Sequence, residues 1–567
     1  MSAEYKKSRS YQTLRHWSKI LRDAEYRKRD RVARADFRSF YSRDGGRGLR
    51  HDLRPSAGGS LKTALIVSQA YLPFARLEAF MMRALQLAGF NIVMVGNRQY
   101  DYLRYGWIGG ASASYELEDF SNDVKTDWFD QNVAGLTNLQ EWLRLEYHGV
   151  HVGRITIATT LRMLKVGQLD FADPEVISVL RTVLGASVRH SIGALGLLEK
   201  LRPNAVLMMD RGYARFGELF DLAIERNIDV ITWHPGHKSD LLVVKRYKKS
   251  NAREHPLSPS ADSWERLCQI PWNSACGDQV RQSLLQSYAA QDWYSVVGTQ
   301  FGKQILETEA TLQKLGLVAN RKVAVVFPHI LWDGSFFYGE DLFDDYTEWF
   351  VETIRAACAN SRLQWVVKIH PAHLVKSKQN ASTEQPAELS VIRREFGDLP
   401  THVKLILPET SLSTFSLFQI ADYVVTVRGT VGIESAIFGI PVLTAGTGRY
   451  DRRGFTLDSA CREEYLDKLA KLETYPRLSR QQVELAERYA YGAFACRPLR
   501  LSSVSLNFAR DAIATPKLTV HCQTRKQWMA AEDMRHLAPW LADGTVEDLL
   551  IVPDAPDLSE GSEMDQR

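Results

Sequence analysis

The chain reads as an α/β protein with two Rossmann-like domains facing a cleft, preceded by a basic helical or disordered leader. Three observations predict this. Short apolar runs alternate with helical spacing from residue 62 onward, and the same alternation restarts near residue 320. Polar residues then gather where those strand-like runs end. The spacing divides the chain into a leader (1–58), a first Rossmann-like domain (59–300), a second (301–480), and C-terminal helices with a tail (481–567).

In the first half, "KTALIVSQ" is a strand, "ARLEAFMMRALQLAGF" is a helix stopping at Gly89, and "NIVMVG" is the next strand. Residues 110–200 are mainly helical but carry no pattern that orders them. Strands return at "NAVLMMD" and "IDVITWHPGHKSD", separated by a helical "ARFGELFDLAIERN". In the second half, "KVAVVFPHILWDG", "LQWVVKIHPAH", "VKLILPE", "YVVTVRG" and "IPVLTAG" are strands, with "DYTEWFVETIRAACAN" at helical spacing between the first two.

With 567 residues, 45% of them hydrophobic and 24% charged, the chain can bury several cores. No run of eighteen apolar residues suggests a spanning helix, and the first residues lack a secretory signal's apolar core. The six cysteines form no CxxC pair, which fits a cytoplasmic location. Net charge is +4, yet residues 1–55 hold 16 Lys or Arg against 7 Asp or Glu. Such a leader is a solvated tail, or a patch that places the protein on the inner face of an anionic membrane. No aromatic-and-glycine recognition motif accompanies the charge, so nucleic acid is not the expected partner.

Ligands of open α/β sheets sit beyond the strands' carboxyl ends. At one such end, "VRGTVGIE", the turn Arg428-Gly429-Thr430 and the helix start through Gly432 suit a phosphate. Glu434 is placed to accept from ribose hydroxyls or, in an ordinary turn, to face solvent. In "VVKIHPAH", Pro371 ends the ladder and presents His370 at the rim, with Lys368 beside it and His373 beyond. A metal is not expected there, because His-Pro-Ala-His sits poorly on one helix face. In "TWHPGHKSD", His234 suits a general base with a near-neutral pKa, and His237 reads as a surface residue. Asp333-Gly334 offers a base or a contact to the leaving phosphate, and Arg428, Lys368 and Arg449 offer charge neutralisation. The absence of GxGxxG after "KTALIVSQ", and of GxxxxGK[ST], argues against dinucleotide and P-loop enzymes.

Together, "HILWDG…LFDDYTEWFVETI", "WVVKIHPAH", "SLFQIADYVVTVRGTVGIESAIFGIPVLTAGTGRYDRRGFT" and "CREEYLDKL" resemble bacterial capsule and surface polysaccharide biosynthesis proteins. These are GT-B-type glycosyltransferases, the capsule Kdo transferases among them. The resemblance is densest over residues 320–472. It implies that His370-Pro371 binds the nucleotide and Gly429-Thr430 its phosphate, and that Asp333 is a counterpart of the family's acidic base. The implied activity is metal-independent transfer of a sugar from a CMP- or UDP-sugar to a lipid-linked or growing surface glycan, with no cofactor beyond that donor. A polymer glycerophosphotransferase, a sugar-nucleotide 2-epimerase and a non-catalytic capsule assembly protein are the alternatives.

Overall fold

The computed structural model describes residues 22–55, 61–69, 71–96, 100–121, 128–133, 135–374, 385–508 and 517–552, with His16 and Lys19. Helix α1, Ala24–Ser42, begins where the Asp23 carboxylate accepts the Tyr26 N–H at 2.9 Å. It sinks Phe40 into the first domain's core, and its acids Asp30 and Asp36 pair with Arg104 and Arg76 at 2.9 and 2.6 Å. This part of the leader is therefore anchored, with Arg27, Lys28, Arg31 and Arg38 left exposed.

The first sheet runs β1 (Lys62–Val67), β2 (Phe90–Val95), β3 (Ala111–Tyr115), β4 (Ala205–Met208) and β5 (Asp229–Pro235), all parallel, in the order β3-β2-β1-β4-β5. Strand β6 (Leu241–Tyr247) joins β5 antiparallel. Helix α2 (Leu72–Leu87) makes the first crossover and buries Leu77, Phe80, Met81, Ala84 and Leu85 on one stripe. Each large side chain of that stripe contributes about 1.5–3 kcal/mol. Gly89, at φ +86°, ends the helix where the sequence places its stop. The stretch that no pattern ordered carries β3, two short helices (Trp128–Val133 and Leu139–Leu143) and two long ones, α3 (Val152–Leu164) and α4 (Pro174–Leu201). Only a glycine at 193 lets α4 pass Leu117, whose carbonyl oxygen would lie 2.3 Å from an added Cβ. Helix α5 (Gly217–Glu225) then links β4 to β5.

The second domain opens earlier than residue 300. Helix α6 (Ser274–Ala289) and the loop after it place Leu284, Tyr288 and Trp293 in one core with Val325, Val424 and Ile433. Strands β7 (Val323–Val326), β8 (Gln364–Lys368), β9 (Val403–Ile406), β10 (Tyr423–Thr426) and β11 (Val442–Thr444) form a parallel sheet in the order β9-β8-β7-β10-β11. Both domains thus share one winding, the arrangement expected of a GT-B-like chain. Around this sheet pack α7 (Tyr346–Ala359), α8 (Thr414–Ile420), the six-residue α9 (Val431–Ala436) and α10 (Arg480–Tyr491).

The C-terminal part is not a separate unit. After α10 the chain returns to the first domain, where β12 (Leu499–Arg500) pairs antiparallel with β6. A hairpin of β13 (Val504–Asn507) and β14 (Lys517–Val520) follows, then α11 (Glu532–Asp543). Leu506, Leu518, Leu537 and Trp540 share a core with Ile66, Phe80 and Ile92. Apolar burial drives this return, since the outer face of α2 would otherwise be wet. Among the described residues, no helix is long and apolar enough to cross a membrane.

Candidate functional site

The loop after β7, residues 327–345, bridges the domains. Tyr213, past the carboxyl end of β4, donates its hydroxyl to Asp333 at 3.0 Å and accepts the Gly334 N–H at 3.0 Å. Further along, Gly339 donates its N–H to the Arg253 carbonyl at 2.6 Å, and Gln140 donates to Asp344 at 2.9 Å. Residues at the carboxyl ends of both sheets therefore meet across the cleft.

On the second-domain wall, Arg428 is 2% exposed and its guanidinium binds Asp341, the Tyr346 hydroxyl and the Glu340 carbonyl. Its backbone N–H donates to His329 Nε2 at 3.2 Å, and the His329 ring stacks on Tyr346 at 5.2 Å. Burial, reinforced by Arg428 and His370, pushes His329 down to about 3, so the ring is neutral at physiological pH. Arg449 reaches over the turn and donates to the Arg428 carbonyl at 3.0 Å. His370 sits partly exposed at the end of β8, and its Nδ1 accepts the Ala372 N–H at 3.1 Å. In the neutral ring this leaves the hydrogen on Nε2. The ladder ends one residue earlier, at Ile369, as Pro371 requires.

The turn itself departs from expectation. The N–H groups of Gly432, Ile433 and Glu434 donate back to the carbonyls of Gly429 and Thr430 at 3.0, 2.9 and 3.0 Å. Those three donors are spent inside the six-residue α9 and are not offered to a phosphate. Gly432 serves packing, because an added Cβ would sit 2.2 Å from the Tyr450 hydroxyl, which donates to the Gly429 carbonyl at 2.7 Å.

Glu434 faces neither solvent nor the cleft mouth. It is 1% exposed and accepts a hydrogen bond from Tyr288 on α6, and burial raises its pKa. Lys368 is also enclosed, at 4% exposure, and donates to Thr414 Oγ1 at 2.6 Å. Burial, then repulsion from Lys303, pushes it down to about 7. Both residues form the floor beneath the turn instead of its ligand-facing surface. His373 is tied to buried Glu388 at 3.0 Å.

On the first-domain wall, His234 ends β5, and its buried Nε2 has no partner among the described residues. Burial, with Arg211 and Arg497 adding to it, pushes the ring down to about 3. A near-neutral general base was expected there. The cations beside it make it a neutral hydrogen-bonding group instead. His255 is held well below its usual range by burial, Arg449, His234, Arg428 and Arg211, so these groups crowd one region. His237 is not a surface residue, since it packs on Trp293 and Phe494 at 4.9 and 5.4 Å.

Asp210, two residues beyond β4, escaped the sequence reading although "MMDRG" ends a strand as the other motifs do. Arg162 on α3 lies over the Tyr213 ring at 4.2 Å and 3.7 Å from the Asp210 carboxylate. Burial raises the pKa of Asp210, and the charge of Asp333 raises it further. Two carboxylates from different domains thus share one arginine and one tyrosine. Among the described residues, no group of three or more His, Cys, Asp or Glu is placed to hold a metal ion.

No protein-family model matches the chain, and no curated protein matches it. Among solved structures, it is similar to a Thermosulfurimonas dismutans KpsC, a β-Kdo 2,4 transferase, at 15% identity and TM-score 0.34, covering 59% of this chain and 87% of that one. It is also similar to a Neisseria meningitidis UDP-GlcNAc 2-epimerase bound to UDP-GlcNAc, at 14% identity and TM-score 0.27, covering 75% and 95%. At these values the functional reading rests on the site's own geometry.

Proposed function

We propose that the protein is a metal-independent glycosyltransferase that moves a sugar from a nucleotide-sugar donor to a growing surface glycan. One observation carries the reading: Tyr213 of the first domain donates to Asp333 of the second, and the charges of Arg211, Arg428 and Arg449 from both domains act together on His255 nearby. The partly exposed Arg449 suits a nucleotide's phosphates, and the raised pKa of Asp210 suits proton transfer. Here Arg449 and the turn Gly429-Thr430 would take the phosphates, and His370 Nε2–H the nucleoside. The acceptor oxygen attacks the sugar's anomeric carbon, and its proton passes to Asp333 or Asp210. The bond from that carbon to the phosphate oxygen breaks, and its electron pair stays on the departing nucleotide.

The exposed Arg27, Lys28, Arg31 and Arg38 of α1 support docking on the anionic inner face of a membrane, at up to about 1 kcal/mol each. A thermal-shift panel of CMP, UDP, GDP, their sugar conjugates and CDP-glycerol tests the donor class. A true donor at a hundredfold excess over its Kd adds about 2.7 kcal/mol of stability. A shift with CDP-glycerol alone would favour glycerophosphate transfer, and no shift with any nucleotide would overturn the reading.

A further inference from the structure

A cavity of about 360 Å³ opens between the domains. Its first-domain side includes Leu161 on α3, whose neighbour Arg162 lies over Tyr213. Its second-domain side includes Phe336, three residues beyond Asp333. Along the chain the lining is thus one residue from Arg162 and three from Asp333.

The lining has the chemistry of a carbohydrate site. Phe171 and Phe336 present apolar rings from opposite domains, and Gln168 adds a planar amide, as does Asn138, whose oxygen caps the Glu141 N–H. Asp344, Asp345 and Glu348 add carboxylates, Glu348 being paired with Arg462, and no lysine, arginine or histidine is among the described lining residues. Aromatic rings cover the C–H faces of a pyranose, and fixed amides and carboxylates take its hydroxyls. Arg462 offsets Glu348, while Asp344 and Asp345 leave the wall acidic, which disfavours carboxylates and phosphates. The width is also set by the fold. An added Cβ at Gly167 would lie 2.2 Å from Thr347 Oγ1 and 2.6 Å from Leu331 Cβ, so the loop carrying Gln168 rests directly on the second domain.

We propose that this cavity is the acceptor subsite, and that it takes a neutral or amino sugar at the end of a glycan, not a uronic or other acidic sugar. The inference rests on the glycosyl-transfer reading above. The test is a glycan array printed with neutral-, amino- and uronic-acid-terminated oligosaccharides, probed with the full chain. Binding should be confined to the neutral and amino classes. It should fall at least about fivefold in Phe336→Ala and in Gln168→Ala, whose side chain is exposed and not needed for folding. Nucleotide-induced thermal shifts should be unchanged in both variants. Preference for acidic glycans, binding indifferent to both substitutions, or no glycan bound would each overturn the inference. If nucleotide shifts persist in any of those cases, the donor reading survives and only the acceptor subsite falls.

Discussion

Tyr213 of the first domain donates its hydroxyl to Asp333 of the second at 3.0 Å, while Arg162 lies 4.2 Å from the centre of the Tyr213 ring. This contact orients a carboxylate across the domain boundary. Tyr213→Phe should therefore lower kcat by about tenfold with donor affinity unchanged. Asp333→Asn and Asp210→Asn remove an acid–base group outright, and the one that carries the proton should lose about 10²–10⁴-fold. Single-turnover sugar transfer measures all three. Full activity in both Asn variants would remove the carboxylate pair from the chemistry.

On the second-domain wall, where the proposed nucleotide would sit, Arg449→Met removes a cation whose side chain is partly exposed. A lost charge-assisted hydrogen bond is worth roughly 1.5–3 kcal/mol, about tenfold or more in donor affinity. His370→Ala should weaken every nucleotide, phosphorylated or not, and leave the fold intact. Calorimetric titration with UDP, CMP and uridine separates the two: Arg449→Met should hardly change uridine binding.

Glu434 presents a different expectation now that its partner is known. Tyr288→Phe leaves a buried carboxyl short of a donor, at a cost of about 1–3 kcal/mol. Urea midpoints should drop accordingly. A midpoint equal to the parent's would mean that the floor beneath the turn tolerates the loss.

Lys368 makes stability depend on pH. Its folded pKa of about 7 lies below the ordinary 10.5, so between those values the unfolded chain holds a proton that the folded chain has released. Stability from this group rises as pH climbs through that window and is lost as pH falls through 7. Urea midpoints from pH 7 to pH 9 should rise more steeply in the parent than in Lys368→Met. Parallel curves would show that the lysine stays charged when buried.

For the membrane surface, reversing Arg27, Lys28, Arg31 and Arg38 to Glu tests charge without disturbing the Phe40 anchor. Binding to phosphatidylserine vesicles should fall, and 0.5 M salt should reduce the parent's binding to the same level. Vesicle binding that ignores both would leave the leader a structural brace.

The sequence by itself determined the two alternating domains, the helix stop at Gly89, and the strand ends that carry His234, Asp333, His370 and Arg428. Those features are local: side-chain period fixes an element's type, and a proline or glycine fixes its end. Tertiary structure decided what the residues at those ends can do. Glu434 became a buried acid because Tyr288, 146 residues earlier, lies against it. Lys368 lost much of its basicity inside a core, and His234 lost its own through burial, with Arg211 and Arg497 adding to it. Asp210 came to lie near a second carboxylate only when Tyr213 met Asp333, 120 residues apart, across the cleft. Protonation depends on desolvation and on neighbouring charge, and both are set by contacts that no local pattern encodes.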